Sequence, residues 1–232
     1  MTPTSIGIGP LIEDPTTGLR YRLRDAAHGS PPAARLLLLH GVGSNENSLA
    51  MVAALIDPRV QVVLVQGPLV FGPGQHGFFE VRFQGGAPAI DAAQAERSRQ
   101  QLIALIRALH AQDGPRPART VIAGFSQGGI LSASVGLSAP ADVAGFAVLS
   151  GRILPEIEPH IAPRPALGNL SAFIAHGNLD NKLPVAWAER ADQWLDALGV
   201  AHLTRRYPIG HELNADVVAD FRQWLAGVLR LA

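Results

Sequence analysis

The sequence predicts an α/β domain built on a mostly parallel central sheet with helices on both faces. Short aliphatic runs at Arg35 to Leu39, Gln61 to Val65, Thr120 to Ala123, Val143 to Leu149 and Ala172 to Ala175 are the first reason. Their apolarity is continuous rather than alternating, which suits strands buried on both faces. Segments of helical patterning lie between them, and strand–helix alternation implies right-handed crossovers onto a parallel sheet. No repeat, linker or low-complexity block interrupts the chain, so residues 1–232 are read as one domain.

Taken in order, Ser5 to Ile12 and Leu19 to Arg24 read as short strands joined by the turn Asp14-Pro15-Thr16-Thr17-Gly18. Helices are expected over Asn47 to Ile56, Ala92 to Leu109, Gln127 to Ser138, Pro184 to Leu198 and Ala215 to Leu229. The clearest is Ala92 to Leu109, with Ala95, Leu102, Leu105, Ile106 and Leu109 at helical spacing. His202 to Tyr207 is the last strand. Two stretches fit neither pattern. Gly67 to Ile90 is rich in Gly and Pro and carries Phe71, His76, Phe78 and Phe79, while Ser150 to Leu170 holds Pro155, Pro159, Pro163 and Pro165. Both read as structureless loops of about 20 residues, which are uncommon in compact domains and often functional. In an open α/β sheet they would lie beside the carboxyl ends of the strands, where ligands bind.

Composition narrows the function classes. The 19 basic and 19 acidic residues cancel, and Arg20, Arg22 and Arg24 alternate as one strand face would, so nucleic acid is not an expected partner. The absence of cysteine excludes disulfides, thiolate nucleophiles and Cys-based metal sites. No His-x-x-x-His or His-x-x-Glu-His pattern occurs, so neither a metal nor another cofactor is expected. Met1 to Glu13 lacks a basic n-region, and the apolar run Leu36 to Leu39 is far shorter than the roughly 20 residues of a membrane span. The expectation is a cytoplasmic protein without stable membrane insertion; a homodimer is compatible with the sequence.

Four motifs carry chemistry. Gly124-Phe125-Ser126-Gln127-Gly128 has the Gly-x-Ser-x-Gly form, whose glycines allow a strained strand-to-helix turn that exposes a serine nucleophile. Chance supplies this pattern in roughly one chain in nine of this composition. Its placement between the strand Thr120 to Ala123 and a small-residue helix is what gives it weight. Asp180, in His176-Gly177-Asn178-Leu179-Asp180, follows the strand ending at Ala175, where a carboxylate can orient a histidine. His211, in Gly210-His211-Glu212, follows the last strand and can act as general base toward Ser126. The order Ser, Asp, His is that of the α/β-hydrolase triad. In His40-Gly41-Val42-Gly43, a tight turn can aim the Val42 N–H at a developing oxyanion, with the Gln127 N–H as second donor. His40 itself reads as structural. His76 is the one histidine in a candidate substrate loop, and His28, His110, His160 and His202 read as bystanders.

Leu36-Leu37-Leu38-Leu39-His40-Gly41-Val42-Gly43-Ser44-Asn45-Glu46-Asn47, Gly124 to Gly129, His176 to Pro184 and Gly210-His211-Glu212 together resemble the phospholipase/carboxylesterase family. The resemblance spans residues 35–225. It implies a compact α/β-hydrolase fold without a large cap domain, and a serine hydrolase cleaving carboxylic esters of small to medium acyl substrates through an acyl-enzyme. It also implies Ser126, Asp180 and His211 as the triad, and Val42 and Gln127 as oxyanion donors. Thioesterase or lysophospholipase action on longer chains is the alternative, and a non-catalytic binding protein the remote one. Phe78-Phe79-Glu80 stands where the family often carries Trp-Phe. Phe71, Phe78 and Phe79 are the expected substrate-binding residues, and action on longer acyl chains would require an apolar channel along them and residues of the 150–170 loop.

Overall fold

The computed structural model describes residues 7–27, 31–84 and 87–231. His28 and the start of the expected strand Ser5 to Ile12 lie outside the described residues. The strands are β1 (Leu11–Glu13), β2 (Arg20–Arg24), β3 (Ala34–Leu39), β4 (Val60–Gln66), β5 (Leu69–Gly72), β6 (Gln75–Gly77), β7 (Val81–Gln84), β8 (Ala87–Ile90), β9 (Arg119–Phe125), β10 (Gly145–Leu149), β11 (Ser171–Gly177) and β12 (Ala201–Tyr207). The helices are α1 (Ala50–Leu55), α2 (Ala92–Asp113), α3 (Gln127–Ser138), α4 (Arg164–Leu167), α5 (Ala186–Leu198) and α6 (Ala215–Leu229).

Eight strands form one sheet in the order β1-β2-β4-β3-β9-β10-β11-β12. From β4 to β12 all neighbours are parallel, while β2 runs antiparallel to β4 and β1 to β2. Successive side chains of a strand face opposite ways, so a continuously apolar strand feeds two cores. Leu37 and Leu39 of β3 join Leu102 of α2, Leu131 of α3 and Leu195 of α5 on one face. Leu36 and Leu38 join Ala53 of α1 and Phe221 of α6 on the other. That double burial is why the strand residues read as uniform runs rather than alternations.

α2 starts where the Asp91 side chain accepts the Gln94 N–H at 2.9 Å. It runs past the expected end at Leu109 to Asp113, whose carboxylate is buried against Arg35 of β3. The expected helix Asn47 to Ile56 is instead a 3-10 turn over Glu46–Leu49 leading into α1.

Both stretches expected to be structureless contain regular elements among the described residues. Gly67 to Ile90 folds into two hairpins, β5–β6 and β7–β8, the first closing through Gly74 at φ +67°. Ser150 to Leu170 contains a 3-10 turn over Pro155–His160 followed by the short α4. Proline's fixed φ starts such turns, and they leave no periodic trace in the sequence. Among the described residues no helix is long and apolar enough to cross a membrane.

Candidate active site

β9 ends at Phe125 and α3 begins at Gln127, so Ser126 alone makes the strand-to-helix turn. Its backbone sits at φ 54° and ψ −115°, a conformation that costs an L-residue on the order of 1–3 kcal/mol. The turn is so tight that a Cβ on Gly124 would overlap the Gly128 backbone, and one on Gly128 would overlap that of Leu39. Ser126 N–H donates to the Leu149 carbonyl of β10 at 2.8 Å, which anchors the turn to the sheet.

The loops leaving β11 and β12 stay zipped together beyond the strands. Asn178 N–H donates to Tyr207 O at 2.8 Å and Leu179 N–H to Ile209 O at 3.0 Å. A Cβ on Gly177 would overlap the Ile209 and Gly210 carbonyls, so only glycine permits the approach. The result is a relay in which Asp180 Oδ2 lies 2.7 Å from His211 Nδ1, and His211 Nε2 lies 2.9 Å from Ser126 Oγ. Asp180 Oδ1 accepts the N–H groups of Lys182 at 2.9 Å and Leu183 at 2.8 Å. Burial opposes ionisation of Asp180, but the bonds from Leu183, His211 and Lys182 outweigh it and hold its carboxyl below the usual range. An ionised Asp180 assigns the His211 proton to Nδ1 and leaves Nε2 as an acceptor for the Ser126 hydroxyl. Such a relay can carry a proton from a serine hydroxyl to an imidazole and stabilise the imidazolium formed.

The turn after β3 is braced from two sides. Gly43 N–H donates to His76 O at 2.8 Å and His76 N–H to Ser44 O at 2.6 Å, which ties the β5–β6 hairpin to the turn. Beneath it His40 Nε2 accepts the Gly67 N–H at 2.9 Å, so Nδ1 carries the proton and donates to Gly41 O at 2.7 Å. Burial pushes the His40 pKa down and keeps the ring neutral, in the structural role expected of it. Among the described residues no backbone acceptor meets the Val42 N–H. Gln127, as the first residue of α3, has an N–H without an intrahelical acceptor. Val42 and Gln127 both border the cavity that holds Ser126 and His211.

That cavity measures about 720 Å³, ample for a small-molecule ligand. Met51, Val52, Phe79, Ile90 and Leu213 give it apolar walls. Of the three aromatics expected there, only Phe79 borders it. Phe78 turns away and packs its ring 5.1 Å from that of His40, while Phe71 lies over Gly77, partly exposed. Neither therefore lines the channel, because aromatic content marks burial without fixing direction. His76 also stays off the cavity, and its contribution is the backbone brace.

Three features had no local sequence signal. The Gln127 side chain clamps the 78–79 backbone, with Oε1 accepting from Phe78 N and Nε2 donating to Phe79 O, both at 2.7 Å. Arg152 borders the cavity and stacks on Trp187 at 4.0 Å. Its position just past the carboxyl end of β10 is where the strand-end rule looks for ligand contacts. Away from the cavity, Asp192, Asp196 and His202 bring metal-ligand-type atoms within 4.8 Å of one another across α5 and β12.

A mostly parallel sheet with a strained serine at the end of a central strand, backed by helices on both faces, defines an α/β-hydrolase. The chain belongs to the phospholipase/carboxylesterase family, whose model matches residues 26–229. It is a hydrolase of the carboxylesterase type, acting on ester bonds. Over 185 residues it is 29% identical to acyl-protein thioesterase 1 of Mycosarcoma maydis, covering 72% of this chain and 77% of that protein. It is 24% identical over 220 residues to lysophospholipase-like protein 1 of Mus musculus, covering 83% and 86% respectively. Among solved structures, a carboxylesterase from Mesorhizobium loti superposes with a TM-score of 0.77 at 25% identity, covering 94% of this chain and 98% of that one.

Proposed function

We propose that Ser126, His211 and Asp180 are the catalytic triad of this esterase, acting on carboxylic esters of small to medium acyl groups. The observation that carries this is the continuous relay from Asp180 Oδ2 through His211 to Ser126 Oγ, at 2.7 Å and 2.9 Å, opening on a cavity. His211 Nε2 takes the Ser126 proton as Oγ attacks the ester carbonyl, and the Val42 and Gln127 N–H groups receive the oxyanion. Collapse of the tetrahedral intermediate expels the alcohol, which leaves with the proton from His211. Water then attacks the acyl-enzyme, giving its proton to His211, and the acid leaves with Ser126 restored.

Ser126→Ala tests the assignment on p-nitrophenyl acetate and butyrate. Loss of turnover with the fold retained is the expected result, and wild-type-like turnover would sink it. Covalent labelling of Ser126 by a fluorophosphonate probe separates catalysis from a non-catalytic binding role. The apolar walls formed by Met51, Val52, Ile90 and Leu213 favour a second reading, action on longer acyl esters or thioesters. A chain-length series on matched oxygen and thiol esters decides between the two.

A further inference from the structure

The cavity beside Ser126 contains a cation that the chemistry above does not use. Arg152 lies just beyond the end of β10. Its neighbour Gly151 packs so closely on the nucleophile turn that a Cβ there would stand 3.0 Å from the Ser126 carbonyl oxygen. The Arg152 side chain therefore starts behind the nucleophile and borders the same cavity.

Its guanidinium carbon lies 4.0 Å from the centroid of the Trp187 ring, a stacking that fixes the plane of the donor fork. Its Nε is buried and has no hydrogen-bond partner among the described residues. Burial lowers the pKa of the group, and the charge of Glu156 offsets this only in part. A guanidinium so placed is short of acceptors, which is unfavourable unless a ligand supplies them. Lys182 and the acidic Glu212 also border the cavity.

We infer that Arg152 forms an anion subsite of this cavity, and that the esters cleaved here carry a carboxylate on their acyl or alcohol part. The inference rests on the serine-esterase reading and specifies its substrate class. A carboxylate is the planar acceptor that the guanidinium fork matches with two parallel hydrogen bonds. Trp187 holds the fork in place before substrate arrives, so little side-chain entropy remains to be lost on binding. Lys182, exposed on the Asp180 loop, adds attraction for the incoming anion.

Two ester pairs of matched size test this and separate the two placements of the charge. Monomethyl succinate against methyl 4-methylpentanoate puts the carboxylate on the acyl side; acetoxyacetate against isobutyl acetate puts it on the alcohol side. The wild-type enzyme is expected to prefer the anionic member of at least one pair in kcat/KM. Arg152→Gln should cut that preference by about tenfold or more, mainly through KM, and Arg152→Lys should retain part of it because charge survives but the fork does not. A purely structural Arg152 would lower both members of a pair together and leave the ratio unmoved. That result, or no preference in either pair, overturns the inference. Succinate should also inhibit wild-type p-nitrophenyl acetate hydrolysis competitively and more strongly than butyramide, a readout independent of how the variants fold; equal inhibition counts against the subsite. Absence of turnover on p-nitrophenyl acetate itself would instead bring down the serine-esterase reading beneath it.

Discussion

Gln127 Nε2 donates to the Phe79 carbonyl at 2.7 Å, and the same side chain accepts the Phe78 N–H through Oε1. A residue that borders the cavity thus uses its side chain to hold one cavity wall. Both bonds are buried, and leaving a buried backbone group unsatisfied costs about 1–3 kcal/mol. Gln127→Leu is expected to lose about 2–6 kcal/mol by urea denaturation, since two such groups are orphaned. Gln127→Glu keeps the acceptor and should fall between. On p-nitrophenyl butyrate both variants should raise KM as the Phe79 wall loosens, and an unchanged unfolding midpoint would refute the clamp.

Ser126 carries backbone strain that glycine would not. Both Ser126→Ala and Ser126→Gly remove the hydroxyl and should lower kcat by at least about 10⁴-fold. They differ at φ 54°, where a Cβ is unfavourable and glycine is tolerated. Glycine's extra unfolded-state entropy offsets part of the relief. Ser126→Gly should still exceed Ser126→Ala in stability by about 1 kcal/mol. Equal thermal midpoints would mean that the turn stores little strain.

The parts of the fold set by continuous apolarity were readable in advance. β3, β4, β9, β10, β11 and β12 all fall on the expected runs, because burial on both sheet faces demands uninterrupted aliphatic residues. Ser126, Asp180 and His211 each lie within a few residues of a strand end, and the structure brings their side chains together. The hairpins β5–β6 and β7–β8 were not readable, since short turns and packing define them rather than periodicity. Phe78 and Phe79 differ by one position, yet one ring faces His40 and the other the cavity. The Gln127 clamp joins residues 48 and 49 positions apart, and no local pattern announces a contact of that span.

Breaking the Arg35–Asp113 pair should cost stability without touching catalysis. Two parallel bonds of 2.9 Å and 2.7 Å join the side chains, which are almost fully buried, and Asp113 also accepts the Ala118 N–H at 2.9 Å. Removing one partner of such a pair strands a buried charge, at a cost of about 3–5 kcal/mol. Asp113→Ala is therefore expected to lower the unfolding free energy by that amount. Its kcat per folded molecule on p-nitrophenyl acetate should stay near wild type, because the pair lies outside the cavity lining. A loss below about 1 kcal/mol would show that water or a neighbouring group compensates.

Asp180 links the site to acid stability. Its folded-state pKa lies below the ordinary value of 3.8, since Leu183, His211 and Lys182 favour the carboxylate more than burial disfavours it. Around and below that value the unfolded chain takes up the proton more readily, so stability must rise with pH there. The Asp180 contribution is fully present above the unfolded-state pKa and is lost as pH falls through the depressed folded-state value. Asp180→Asn abolishes this titration while keeping Oδ1 as an acceptor for the Lys182 and Leu183 N–H groups. The wild-type advantage over Asp180→Asn, measured by urea midpoint, should hold steady from about pH 7 to pH 5 and shrink below about pH 4. At neutral pH the same variant should lose about 10⁴-fold in kcat, because an amide no longer fixes the required His211 tautomer. A stability difference that stays constant down to about pH 2.5 would show that the Asp180 carboxylate is not held ionised by its three partners.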